Sequence, residues 1–424
     1  MLCGRSLPLS LRARFKLWEQ GPSGRFLVLL DQSIYTGTNF SLTALLALLA
    51  GVLPLGHYAI IASIAALLSS VFVGLVLDPL IVFASAPAAR RVRFALLKLS
   101  AAISMTALAV AVGLEILNRL FVLPALADIA FATVIFAGQS VVLCHKRNAY
   151  INGQVLSSLY SSIRYAAAAF LVVALVWLVA AVEVWTVVVA IGAASCASSL
   201  VWFRSILRIP TRVLTYLMKA PGLVRYALWS SVISVPSAVA VQSIYWIADV
   251  QAGRLAVGQI KVLEQLMVPF VQIMQMLSLP DQVAASKAFS RGDVSELIAL
   301  SGRRTGQQLK YCLLYCLGLV AFLSAAQGIT VQAVPLTAAI IYSVCVIAQS
   351  VAIPRNVVLR AARRPKFIAF GYVVMVMVMI VSGILAVPST VIGAVAALSC
   401  AWAANVFVLQ LGQNSLIRAH GLKA

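Results

Sequence analysis

Apolar runs of about twenty residues, separated by short polar or basic breaks, repeat along the whole chain. A helix rises about 1.5 Å per residue, so about twenty apolar residues match a hydrocarbon layer of roughly 30 Å. On that basis the pattern predicts twelve membrane-spanning helices: 27–51, 58–83, 95–117, 121–144, 153–177, 181–203, 224–248, 255–280, 311–328, 331–353, 367–386 and 389–411. The ninth and tenth are the least sharply bounded, because one apolar stretch over 311–353 is broken by Gly328 and Pro335. The predicted fold is all-α and polytopic.

Composition supports a membrane body over soluble domains. The chain is 62% apolar and 10% charged, and its mean hydropathy is +1.03, whereas soluble domains carry roughly a quarter charged residues. The net charge of +21 raises nucleic acid as a partner, but no basic stripe with interleaved aromatics exists, so nucleic-acid binding is not expected. The basic residues sit in short blocks between the apolar runs. With the N-terminus inside, of the 32 lysines and arginines only Arg119 and Arg254 fall outside, and only Arg164 and Lys261 lie deep within spans. That asymmetry predicts cytoplasmic N- and C-termini, and we expect a bacterial inner (plasma) membrane. The first 25 residues lack the apolar core of a cleavable signal. Residues 7–18 read as a short interfacial helix with Arg12, Arg14 and Lys16 at the headgroups. The seven cysteines show neither paired-ligand spacing nor an accompanying His or acidic cluster, so no metal and no disulfide framework is expected.

Two short motifs recur six spans apart. Pro79-Leu80-Ile81-Val82-Phe83-Ala84-Ser85 and Pro280-Asp281-Gln282-Val283-Ala284-Ala285-Ser286 share P-x-x-V-x-A-S. Gln139-Ser140-Val141 followed by Arg147-Asn148 matches Gln349-Ser350-Val351 followed by Arg355-Asn356. These predict parallel repeats: a cytoplasmic segment 1–25, a six-helix lobe 26–203, a basic linker 204–223, a second lobe 224–413 and a tail 414–424.

Polar groups within spans usually face an interior cavity or a partner, because hydrocarbon cannot solvate them. In the first span Gln32, Thr36, Asn39 and Thr43 share one face, with Asp31, Tyr35 and Thr38 alongside. A water-filled cavity is the expectation there, with helix–helix hydrogen bonding as the alternative. In the fifth span Ser157, Ser161 and Arg164 share a face, and Arg164 is read either as an anion ligand or as the partner of Asp31. In the eighth, Lys261, Gln265, Gln272 and Gln275 form a row beside Glu264. Amides that donate and accept suit hydroxyl-rich ligands, and a Lys261–Glu264 pair is the plainer alternative. The seventh span adds Ser230, Ser234 and Ser237 on one row and Gln242 and Tyr245 on another. Pro236 and Pro269 sit mid-span, where proline kinks helices. No phosphate-binding glycine loop and no H-E-x-x-H helix is present, so neither ATP use nor catalysis is expected.

The run Asp31-Gln32-Ser33-Ile34-Tyr35-Thr36-Gly37-Thr38-Asn39-Phe40, then Gly56-His57-Tyr58, and Leu77-Asp78-Pro79-Leu80-Ile81-Val82 resembles the polysaccharide-export flippases. These belong to the multidrug/oligosaccharidyl-lipid/polysaccharide exporter superfamily. The resemblance implies two six-helix lobes around a cleft lined by spans one, two, seven and eight. It also implies a lipid-pyrophosphate-linked oligosaccharide moved from the inner to the outer leaflet, with membrane lipid and glycan-synthesis enzymes as partners and no cofactor. The candidate cavity residues are Asp31, Gln32, Thr36, Asn39, Arg164, Gln242, Lys261, Glu264, Gln265 and Gln272. An ion-coupled drug or metabolite exporter, with Asp31 as the coupling acid, is the alternative.

Overall fold

In the computed structural model, the described residues are 22–80, 90–207, 221–326, 335–362, 364–385 and 390–420. The expected interfacial helix at 7–18 and most of the 204–223 linker lie outside them. Among the described residues the chain is helical, without a strand. The helices are α1 (Pro22–Leu49), α2 (Val52–Phe72, continued by a π-helical turn at Val73–Leu77), α3 (Arg90–Phe121), α4 (Pro124–Ile151), α5 (Val155–Val179) and α6 (Val184–Leu207). A long stretch, Pro221–Ser290, follows. Then come α9 (Val294–Ala326), α10 (Leu336–Ala361), α11 (Pro365–Ile384) and α12 (Val391–Ala419).

The long stretch is two helices. At Gly253 the backbone takes φ 78 and ψ 173, a region open in practice only to glycine. Residues 221–252 are therefore α7 and 254–290 are α8, and the break falls between the seventh and eighth predicted spans. Among the described residues nine helical stretches, Gly222–Val271 counted once, are long and apolar enough to cross a membrane. Helix α1 is not among them, because its polar row dilutes the apolar run. Helix α9 starts well before the predicted span at 311, since its first turns are polar rather than irregular. Proline at the first turn opens α4 and α11, where the missing N–H costs no hydrogen bond.

The helices pack as two compact units. The first takes in α1 up to Leu42 and the described parts of Phe72–Ser230. The second takes in Thr43–Val71 and the described parts of Ser231–Ala424. Within the first, the main packed pairs are α3 with α4, α4 with α6, and α5 with α6. Within the second they are α9 with α10, α10 with α12, and α11 with α12, the same scheme displaced by six helices. The core of the second unit is built around Ile244, Ile260, Leu263, Met267, Met375 and Trp402. At one crossing in that unit the backbones nearly touch: a Cβ on Gly56 would collide with the Arg254 carbonyl, and one on Gly258 with the Val52 carbonyl. Small residues permit such approach between membrane helices.

Candidate functional site

In the first unit, Asp31 on α1 is fully buried and its carboxylate is saturated. Oδ1 accepts from Lys146 Nζ at 3.0 Å and from Ser162 Oγ at 2.5 Å. Oδ2 accepts from Ser158 Oγ at 2.7 Å and from the Tyr150 hydroxyl. A carboxylate offers about four acceptor positions, and here each is taken. Lys146 and Tyr150 lie one helical turn apart on α4, and Ser158 and Ser162 one turn apart on α5, so each helix aims two donors at one point. Around this hub, Gln32 Nε2 donates to the Tyr150 oxygen at 2.6 Å. The Tyr165 hydroxyl donates to Asn39 Oδ1 at 2.8 Å. The Lys146 ammonium lies 4.4 Å from the centre of the Tyr35 ring.

This bears on two readings of the sequence. Asp31, Gln32 and Asn39 make hydrogen bonds to neighbouring helices, the alternative to a water-filled cavity. Asp31 is fully buried by its partners from α4 and α5, while Gln32 and Asn39 stay half-buried. Arg164 does not pair with Asp31: it is exposed on α5, and its Nε donates to the Tyr160 carbonyl at 3.4 Å. Lys146 takes the place given to it. Ser161 is buried and donates to the Ser198 carbonyl at 3.1 Å.

In the second unit, Lys261 Nζ lies 2.6 Å from Glu264 Oε2, which also accepts from the Tyr245 hydroxyl. The i, i+3 pair weighed from the sequence is thus made. Glu264 Oε1 receives no donor among the described residues, and the Glu264 side chain stays 29% exposed. It borders a cavity of about 320 Å³ within this unit, walled by α7, α8, α10, α11 and α12. The polar and aromatic wall includes Tyr245, Glu264, Tyr342, Asn356, Tyr372 and Trp402. Trp402 is 7% exposed, and its indole N–H, like Asn356 Oδ1, has no hydrogen-bond partner among the described residues.

Thr36, Gln242 and Gln265 are half-buried and make no side-chain hydrogen bond among the described residues. The side chains of Gln272 and Gln275 lie outside the described residues. Two further ion pairs are made: Glu115–Arg119 at 3.0 Å and Asp281–Arg304 at 2.9 Å. Burial raises the Asp281 carboxyl against the opposing pull of Arg304. Among the described residues no group of three or more His, Cys, Asp or Glu is placed to hold a metal ion.

No protein-family model and no curated protein sequence matches the chain. Solved structures do. An inward-facing multidrug resistance MATE family transporter of the MOP superfamily matches at TM-score 0.63, with 14% identity over 96% of this chain and 99% of that one. A MATE structure in complex with Br-NRF matches at 0.60, with 14% identity over 96% of each chain. A MOP superfamily transporter from Pyrococcus furiosus, described as having a binding pocket of reverse polarity that suggests a different function, matches at 0.54. It is 15% identical over 98% of this chain and 96% of that one. The chain therefore has the twelve-helix fold of MATE transporters and is a multi-pass membrane protein.

Proposed function

We propose that this chain is a membrane exporter of small aromatic organic molecules bearing hydrogen-bonding groups, and that the cavity in the second unit is where they bind. The observation that carries this reading is the cavity itself. Its volume of about 320 Å³ falls at the lower end of pockets for small ligands, which combine apolar walls with a few placed polar groups. Tyr342, Tyr372 and Trp402 offer aromatic faces, and Gln349 and Asn356 place amide side chains in the wall. Similarity of fold to multidrug MATE transporters supports the exporter class. In this reading the unequal spread of basic residues puts both termini in the cytoplasm.

The test is efflux of aromatic dyes from cells and proteoliposomes carrying the protein, with Trp402→Phe and Asn356→Ala beside the wild type. Efflux by the wild type and its loss in both variants at equal expression are expected. Absence of efflux across a panel of neutral and charged dyes would sink the proposal.

A second reading, a flippase for lipid-linked oligosaccharide, has the resemblance of residues 31–40 and 78–82 in its favour, together with the amides Gln349 and Asn356 in the cavity wall. The cavity would seat only part of an oligosaccharide, so this reading ranks second. Exposure of a labelled lipid-linked glycan to an enzyme outside proteoliposomes would reverse the order.

A further inference from the structure

Asp31 in the first unit and Glu264 in the second each carry a lysine of their own. We infer that Lys146 and Lys261 are tethered counter-cations, standing where a soluble monovalent cation would otherwise sit against Asp31 and Glu264, so that neither carboxylate needs a bound ion. An alkyl ammonium is a compact point charge with three donors, and oxygen atoms around it can serve a metal cation equally well.

Around Asp31 the substitution is complete. The ammonium sits 3.0 Å from Oδ1 and against the Tyr35 ring, and Lys146 and Asp31 side chains are 2% and 0% exposed. Hydroxyls of Tyr150, Ser158 and Ser162 occupy the remaining carboxylate positions. No acceptor position is left for an ion. Around Glu264 the same device is looser. Lys261 lies 2.6 Å from Oε2 with side-chain exposures of 11% and 29%, and Oε1 lies open. An unmatched charge would be costly at fully buried Asp31 and would stand partly screened at Glu264, and in either place removing the lysine should make the site recruit a cation from solution.

Two consequences follow. Asp31 is a structural hub rather than a coupling acid, and the cavity beside Glu264 presents an internally balanced pair, which favours neutral or zwitterionic guests over simple cations. The second consequence rests on the exporter reading, but the inference does not, because its readout is cation binding.

Purified full-length protein, heated in detergent at constant ionic strength in sodium, potassium or choline chloride, tests it. The wild type is expected to unfold at one temperature in all three salts. Lys261→Met is expected to unfold several degrees higher in sodium or potassium than in choline, saturably. Lys261→Met/Glu264→Gln is expected to be indifferent to salt again. A saturable alkali-cation effect in the wild type, or none in Lys261→Met, overturns the inference at Glu264. At Asp31, a folded Lys146→Met should show the same gain. Where Lys146→Met does not fold, Asp31→Asn/Lys146→Met should, since no charge is left unmatched. A folded but salt-indifferent Lys146→Met, or a double variant that also fails to fold, overturns the inference there.

Discussion

The two lysine–carboxylate pairs share a chemistry and differ in everything around it. In the first unit, Asp31 takes four donors from two neighbouring helices and disappears from the surface. In the second, Glu264 takes two donors on one oxygen and leaves the other at the edge of a cavity. Burying an ion pair is offset by its attraction only when the remaining lone pairs are also satisfied. The first arrangement meets that condition, and it ties α1 to α4 and α5. The second leaves it partly unmet, which is tolerable where the group borders open space and useful where a guest must be held.

The strongest way to break this contrast is to remove Lys146. Lys146→Met strands a fully buried carboxylate, a change that typically costs about 3–5 kcal/mol. The expected result is a large fall in unfolding temperature in detergent, with much of it regained on adding Asp31→Asn. If Lys146→Met instead behaves like a surface change, the hub does not hold the first unit together.

Next in size is backbone contact. Gly258→Ala would push a methyl into the Val52 carbonyl at the start of α2, where no flexible side chain can give way. Overpacking of that kind costs about 1–3 kcal/mol. The counterpart in the first unit is Gly138, where a Cβ would meet Ser195 Oγ at 2.7 Å, which can rotate aside, and Ser195 Cβ at 2.9 Å, a milder overlap than the 2.1 Å approach at Gly258. Gly138→Ala is therefore expected to lower the unfolding temperature less than Gly258→Ala. Equal losses would mean that the α2–α8 crossing is no tighter than an ordinary contact.

How much of this the sequence could show follows from what each feature depends on. Spanning helices depend on runs of apolar residues, which are local, so twelve were legible and even the Gly253 break fell between two predicted spans. The partner of Asp31 depends on three-dimensional placement. Lys146 sits between His145 and Arg147 and reads as part of an inner loop, yet α4 runs on to Ile151 and carries it inside. A signal existed, since Lys146–Tyr150 and Ser158–Ser162 are both i, i+4 polar pairs facing the span of a lone carboxylate. The cavity was legible only in part, through Ser237, Tyr245 and Glu264 of its wall. Tyr342, Tyr372 and Trp402 are aromatic residues in apolar spans, and from sequence alone such residues are indistinguishable from packing.

Helix starts differ too, though not by unit, since α10 and α11 also lack a side-chain cap. The N-termini of α4 and α5 have no side-chain cap, whereas α9 has Asp293, whose Oδ1 accepts from the Glu296 N–H at 2.8 Å and from Ser295 Oγ at 2.7 Å. Those two bonds hold the Asp293 carboxyl below the usual range. A lowered value means the cap stabilises fully above the ordinary Asp value of about 4 and is lost as pH falls through the folded one. Asp293→Ala is expected to lower the unfolding temperature by less than Gly258→Ala at neutral pH, with the gap to wild type closing in acid. A gap that persists unchanged in acid would argue against the cap.

The smallest stability effect is expected where the functional effect is largest, at Lys261. With Lys261 11% and Glu264 29% exposed, the pair resembles partly screened ion pairs, worth below about 1 kcal/mol. After Lys261→Met the carboxylate keeps its bond from Tyr245 and has the cavity beside it, so the fold should barely register the loss at moderate salt. The guest should register it strongly, because the wall changes from a balanced pair to a net negative charge beside three aromatic rings, and such surroundings attract cations. Dye efflux is the measurement: neutral dyes should be exported less well relative to cationic ones in Lys261→Met than in the wild type. A variant as destabilised as Lys146→Met would show that the second pair is a hub like the first. An unchanged dye preference would show that Glu264 does not face the guest.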